Sequence, residues 1–192
     1  MPHAVATDCE PAVLGLTAQW NQCVADHSRR VAVMSFRLAR MLGMPDSERS
    51  ELLRAALLLD VANAGLPEEL LAETERPSPE EQPVLVQAPS FAHEWLRSVP
   101  LVGGAAAIIE SIGEWFDGSG VPEGRLASDI PIGSRVLVVA DAFDRLRHPR
   151  HEAQTARHSH SVRDALVELD QDRGRRFDPN VLDALIKLQT VN

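Results

Sequence analysis

The 192-residue chain has no tyrosine, only two cysteines, and aromatic side chains at just 4% of its positions. Because 44% of the residues are hydrophobic, the core must be built mainly from aliphatic side chains. Cys9 and Cys23 show neither metal-binding nor redox spacing. A disulfide scaffold and a cysteine-based metal site are therefore excluded.

The sequence also lacks a long apolar run and an excess of positive charge. No stretch approaches the roughly 20 apolar residues that span a bilayer, and residues 1–10 lack the pattern of a secretory signal. We therefore expect a cytoplasmic protein without a membrane segment. The net charge of −9 argues against nucleic-acid binding, because that binding needs Lys and Arg to neutralise phosphates.

Apolar residues recur at intervals of three and four, which is the spacing of one helix face. Two clear segments contain Val31, Met34, Leu38, Val136, Val139 and Phe143. Gly43 to Asp46 ends one predicted helix and starts the next, and Asp178-Pro179 precedes the last. We predict an all-α bundle of about seven to nine helices, with an N-terminal tail at residues 1–10 and a single domain at residues 11–192.

Several short motifs stand in a specific order along the chain. They are His27, Leu59-Asp60, Glu114, the loop Asp117-Gly118-Ser119-Gly120-Val121-Pro122, Ile130-Pro131, Ala140-Asp141 and Phe177-Asp178-Pro179. This order resembles the HD-GYP family, a branch of the HD hydrolase superfamily. The resemblance implies an HD-domain bundle of helices from about residue 20 to the last helix. Family members hydrolyse cyclic di-GMP with iron or manganese ions, which clamp the phosphate and activate water.

The resemblance allows each family site position to be checked in this chain, and many have lost their chemistry. The positions that keep a family residue are His27, Asp60, Glu114 and Asp141. The positions that have lost a ligand or a charged contact are Leu59, Asn63, Ala88, Ile112 and Gly113, and Cys23 replaces an acidic ligand of some members. Because Leu, Ala and Ile cannot ligate a metal, we expect no catalytic residue and at most one weakly bound iron or manganese ion.

The resemblance also assigns two further features. The family's loop lies near the active site and is proposed to touch partner proteins, and Val121 replaces its tyrosine here. Asp117 is expected to brace this loop. Arg150 matches an arginine that contacts the dinucleotide phosphate, whereas the family lysine three residues later is Ala153.

The surviving scaffold motifs and the missing ligands lead to three functional hypotheses. The first is an inactive regulatory or protein-interaction domain in bacterial cyclic di-GMP signalling. Its candidate partner is a GGDEF-type diguanylate cyclase, and its candidate assembly is a homodimer. The second is a phosphohydrolase with one metal held by His27, Asp60 and Asp141. The third is a sensor that binds cyclic di-GMP without cutting it, which Arg150 supports.

Overall fold

The computed structural model describes residues 22–59, 103–148 and 159–190. Its helices are α1 Gln22–Met41, α2 Asp46–Leu58, α3 Gly103–Glu110, the 3-10 helix Ala127–Asp129, α4 Ile132–Arg147, α5 Val162–Asp170 and α6 Pro179–Thr190. These described residues form two isolated bridges and no β-strand, which confirms the predicted all-α class. The predicted tail at residues 1–10 and the first part of the predicted domain lie outside the described residues.

Helix α1 buries one face along most of its length. His27, Val31, Ser35 and Leu38 follow one another at intervals of three or four residues, and each is at most 1% exposed. This stripe lies toward the neighbouring helices α2, α4 and α6. The same periodicity that builds the core therefore carries His27 into the interior.

Helix α4 is the centre of the bundle and contacts each of the other five described α-helices. Its residues Val136, Leu137, Val139 and Ala140 are completely buried. A helix that is surrounded by neighbours has little solvent-facing surface, which accounts for its nearly continuous apolar sequence. The polar residues that follow this apolar segment are consequently held close to the core.

Helices α3 and α4 approach each other closely because the start of α4 has small residues. A Cβ atom on Gly133 would lie 2.7 Å from Cδ1 of Ile108. The neighbouring Ser134 hydroxyl donates a hydrogen bond of 2.8 Å to the Ile108 carbonyl. Larger side chains at these two positions would push the helices apart.

Two helix boundaries lie where the sequence predicts them. Gly43 adopts φ +70°, and the Met44 N–H bonds the Ala39 carbonyl at 3.0 Å, which ends α1 before α2 begins at Asp46. Before α6, the Asp178 carboxylate accepts the Asn180 N–H at 2.8 Å. A carboxylate satisfies a free amide at the start of a helix in this way.

The buried hydrophobic core of the described residues is almost wholly aliphatic, with Phe143 and Phe177 as its aromatic members. This agrees with the low aromatic content of the sequence. No helix in the described ranges is both long and apolar enough to cross a membrane.

Candidate functional site

His27 lies between two carboxylates of helix α4. Its Nδ1 is 2.7 Å from Oδ2 of Asp144, and its Nε2 is 3.0 Å from Oδ1 of Asp141. The two aspartates are three residues apart, so they share one face of α4. Each ring nitrogen of His27 therefore lies within hydrogen-bond distance of one carboxylate oxygen of α4.

Two arginines bind the carboxylates on either side of this histidine. Arg30 binds Asp144 through both Nε and Nη2, at 2.8 and 2.9 Å. Arg145 lies one turn beyond Asp141 and directs its Nε at both carboxylate oxygens, at 2.9 and 3.0 Å. We call these five residues, His27, Arg30, Asp141, Asp144 and Arg145, the His27 cluster.

The His27 cluster keeps both of its carboxylates ionised. Burial by itself raises the pKa of Asp141, but the charge of Arg145 and the hydrogen bond from His27 outweigh burial and hold that pKa far below its usual value. Burial likewise opposes ionisation of Asp144, and hydrogen bonds from His27 and Arg30 lower its pKa overall. The negative charges are therefore paired with positive charges.

The arrangement of the His27 cluster does not fit a metal site. A metal ligand must aim a free lone pair at the ion, and histidine binds as the neutral ring. Here the Nε2 of His27 and the carboxylate of Asp141 are directed at each other, and Arg145 covers the same carboxylate. Within the three described ranges, no group of three His, Cys, Asp or Glu residues is placed to hold a metal ion.

Some of the site residues that the sequence predicts lie among the described residues, and others do not. The structure joins His27 to Asp141, and Leu59 belongs to the hydrophobic core, with Ile112 packed against that core. The predicted positions outside the described residues are Asp60, Asn63, Ala88 and Arg150, and the side chain of Cys23 is likewise not described.

Glu114 has a different set of partners from the His27 cluster. Its side chain is buried, and its two oxygens accept the backbone N–H groups of Glu123 and Arg125, both at 2.8 Å. The guanidinium of Arg125 then donates to the Ser111 hydroxyl at 2.9 Å. Glu114 therefore fastens the segment at residues 113–126, which we call the glycine loop.

Close backbone contacts explain why two positions of the glycine loop are occupied by glycine. A Cβ on Gly120 would lie 2.1 Å from the amide nitrogen of Trp115. A Cβ on Gly113 would lie 2.7 Å from the carbonyl oxygen of Val121, whose own N–H bonds the Gly113 carbonyl at 2.9 Å. A histidine at position 113 would therefore require a different course of the loop backbone.

The glycine loop is also fixed at its tip and at its base. Asp117 accepts hydrogen bonds from the N–H and the hydroxyl of Ser119, at 2.9 and 2.6 Å. Its own N–H bonds the Arg175 carbonyl at 2.9 Å, and the Arg175 guanidinium stacks 4.8 Å above the Trp115 ring. Val121 and Leu126 nevertheless remain 40% and 54% exposed on the loop surface.

The sequence reasoning missed Arg30, Asp144 and Arg145 as members of the site. One signal for Arg145 was available, because Asp141 and Arg145 have the four-residue spacing of a helical ion pair. The contact between Arg30 and Asp144 had no such signal, since it joins residues 114 positions apart.

Comparisons with known proteins identify the family. A family model for the HD domain matches residues 12–181, and the chain therefore belongs to the HD domain family. Its curated relatives include a cyclic di-GMP phosphodiesterase of Thermotoga maritima, which is 29% identical over 167 residues, covering 85% of this chain and 44% of the relative. Another relative is the cyclic di-GMP phosphodiesterase response regulator RpfG of Xanthomonas campestris, 31% identical over 162 residues, covering 82% of this chain and 41% of the relative.

Solved structures show the same fold. A cyclic GMP-AMP-specific phosphodiesterase of Vibrio cholerae superposes with a TM-score of 0.70 at 20% identity, covering 93% of this chain and 46% of that one. The HD-GYP-type protein Bd1817 of Bdellovibrio bacteriovorus gives a TM-score of 0.68 at 20% identity, covering 92% and 56%. The resemblance to HD-GYP phosphodiesterases is confirmed, and the chain spans less than half the length of the two curated relatives.

Proposed function

We propose that this chain is a catalytically inactive HD-GYP-like domain that acts as a regulatory, protein-binding module in bacterial cyclic di-GMP signalling. Relatives named as cyclic di-GMP phosphodiesterases support the signalling context. We further propose that the domain works in the cytoplasm, where cyclic di-GMP is made and read. No iron or manganese ion is part of the proposed function.

The pairing of His27 and Asp141 carries the proposal of inactivity. Metal-assisted hydrolysis of a phosphodiester needs lone pairs that hold the ions and a bound water made acidic by them. The Nε2 of His27 instead lies 3.0 Å from Oδ1 of Asp141, and Arg145 covers that same carboxylate. The leucine at position 59 and the isoleucine at position 112 add no donor atoms.

A hydrolysis assay tests the proposed inactivity. The full chain is incubated with cyclic di-GMP and with Mn²⁺ or, under anaerobic conditions, Fe²⁺, and nucleotide products are separated by chromatography. The Thermotoga maritima relative serves as the positive control. We expect no hydrolysis above the protein-free background. Metal-dependent hydrolysis that disappears in His27→Ala would overturn the proposal and favour the phosphohydrolase hypothesis.

The proposed protein-binding role has a surface to support it. Val121 and Leu126 expose apolar side chains on the glycine loop, while buried Glu114 holds the loop backbone from beneath. A firmly held loop presents its exposed side chains at low entropic cost, which favours protein recognition. We propose a GGDEF-type diguanylate cyclase as the partner.

Binding to a purified GGDEF domain from the same organism tests this partner. We expect Leu126→Asp to weaken the interaction at least about tenfold, because it places a charge in an apolar contact. Val167→Asp is the matched control, since Val167 is 57% exposed on α5, close to the 54% of Leu126. Equal losses in both variants, or no binding by the wild-type chain, would contradict this partner. Cyclic di-GMP binding without any protein binding would favour the sensor hypothesis.

A further inference from the structure

Arg145 contacts both oxygens of the Asp141 carboxylate. Its Nε lies 2.9 Å from Oδ2 and 3.0 Å from Oδ1, so one group covers both oxygens. His27 shares Oδ1 from the buried side at 3.0 Å. A cation that approached this carboxylate would have to displace the guanidinium first.

The charge of the cluster also disfavours a further cation. Among the described residues, the guanidiniums of Arg30 and Arg145 lie against the carboxylates of Asp144 and Asp141, and the His27 ring lies between these two carboxylates. The His148 ring lies 3.0 Å from Asp144 as well. A divalent ion on the Asp141 carboxylate would lie close to the Arg145 guanidinium, which would repel it at short range in a poorly screened site.

We propose that the guanidinium of Arg145 takes the place of a metal ion on the Asp141 carboxylate. In this way Arg145 keeps metal ions from binding at the site. This inference rests on the proposed inactive function and names the residue that maintains it. Arg30 and His27 bind the carboxylate of Asp144, and these side-chain contacts join helix α1 to helix α4.

The pair of Asp141 and Arg145 differs from an ordinary surface ion pair. Arg173 also bridges carboxylates, those of Asp170 and Asp183, but these are 51% and 57% exposed. The Asp141 side chain is only 20% exposed and is shared with a buried histidine. Removing Arg145 should therefore uncover an electron-rich carboxylate beside His27, whereas removing Arg173 should uncover only solvated acids.

Binding of Mn²⁺ to the full-length chain tests the inference. Free Mn²⁺ is measured by electron paramagnetic resonance, and thermal melting is recorded with and without the ion. We expect the wild-type chain, Arg145→Lys and the control Arg173→Ala to show the same weak binding and an unchanged melting temperature. In Arg145→Ala we expect Mn²⁺ affinity to rise at least about tenfold and the ion to raise the melting temperature. Adding Asp141→Asn to that variant should abolish the gain.

Two outcomes would overturn the inference. The first is a folded Arg145→Ala protein that binds Mn²⁺ no better than the wild-type chain. The second is a wild-type chain that binds Mn²⁺ as tightly as the variant. If Arg145→Ala does not fold, Arg145→Met keeps the aliphatic stem and gives the same comparison. Either failure is distinct from failure of the proposed function, which is decided by hydrolysis of cyclic di-GMP by the wild-type chain.

Discussion

The His27 cluster and the glycine loop each contain a mostly buried acid that the family resemblance assigns to a remnant metal site, yet different donors satisfy these two acids. Asp141 is held by the side chains of His27 and Arg145. Glu114 is held by two backbone N–H groups of the glycine loop. An acid at such a position is therefore weak evidence for a metal, because its role depends on the donors that surround it.

The two kinds of donor also differ in what depends on them. The side-chain donors of the His27 cluster lie on α1 and α4, and they join helices that are far apart in sequence. The backbone donors at Glu114 belong to residues 9 and 11 positions further along the chain, so they shape one local segment. We expect substitutions in the cluster to affect global stability and substitutions at the loop to affect local order first.

The largest effect is expected for Asp144→Ala. This change leaves the His27 ring and the Arg30 guanidinium without their shared acceptor, and breaking a buried ion pair costs about 3–5 kcal/mol of unfolding free energy. Urea denaturation measures this loss of unfolding free energy. The control Asp170→Ala breaks an exposed pair with Arg173 and should cost about 0–1 kcal/mol. Equal losses in the two variants would mean that the cluster contributes no more than a surface pair.

The next effect is expected for Glu114→Ala, which leaves the amides of Glu123 and Arg125 without an acceptor. Each buried group left unsatisfied costs about 1–3 kcal/mol, and both amides should lose protection against hydrogen exchange. The control Glu123→Ala removes an exposed acid whose side chain pairs with the Arg125 guanidinium. Unchanged exchange in Glu114→Ala would contradict the bracing role.

A somewhat smaller effect is expected for Gly120→Ala. The new Cβ would lie 2.1 Å from the Trp115 amide nitrogen, so the loop must shift at a cost of about 1–3 kcal/mol. Gly43→Ala is a useful comparison, because Gly43 has φ +70° and no atom within 4 Å of its Cβ position. The Gly43→Ala variant should have backbone strain but no clash, and it should lose about 1 kcal/mol of unfolding free energy. If Gly120→Ala costs no more than this, the close approach in the loop is not required.

The smallest effect is expected for Asp117→Asn. Hydrogen bonds from the Ser119 hydroxyl and amide hold the pKa of Asp117 below its ordinary value of 3.8. Because this folded-state pKa is depressed, the stabilisation is present above 3.8 and is lost as the pH falls through the lower value. Thermal melting should show a small deficit of the variant at about pH 7 that shrinks by about pH 3. A deficit that does not change with pH would contradict this account.

Local patterns allowed much of the fold to be predicted. The spacing of Val136, Val139 and Phe143 indicates the buried face of α4, and Asp178-Pro179 marks the start of α6. Both signals depend on interactions within a few residues, such as a capping hydrogen bond or a shared helix face. They can therefore be recognised without knowing how the helices pack.

The candidate site was only partly predictable. The family resemblance indicated His27 and Asp141 as site residues. In the structure, Nε2 of His27 lies 3.0 Å from Oδ1 of Asp141. The resemblance did not indicate that Arg30 would bind Asp144, because that contact depends on how α1 crosses α4. It also treated Glu114 as a remnant of the metal site, whereas the fold of the glycine loop brings two amides to its carboxylate.

The sequence alone determined the helical class, several helix boundaries and the family. The physical reason is that periodicity, caps and side-chain chemistry are properties of residues close together in the chain. The tertiary structure decided which charges meet. It set Arg145 and His27 on one carboxylate and the loop amides on another, because such partners are chosen by the packing of helices and by the path of a loop.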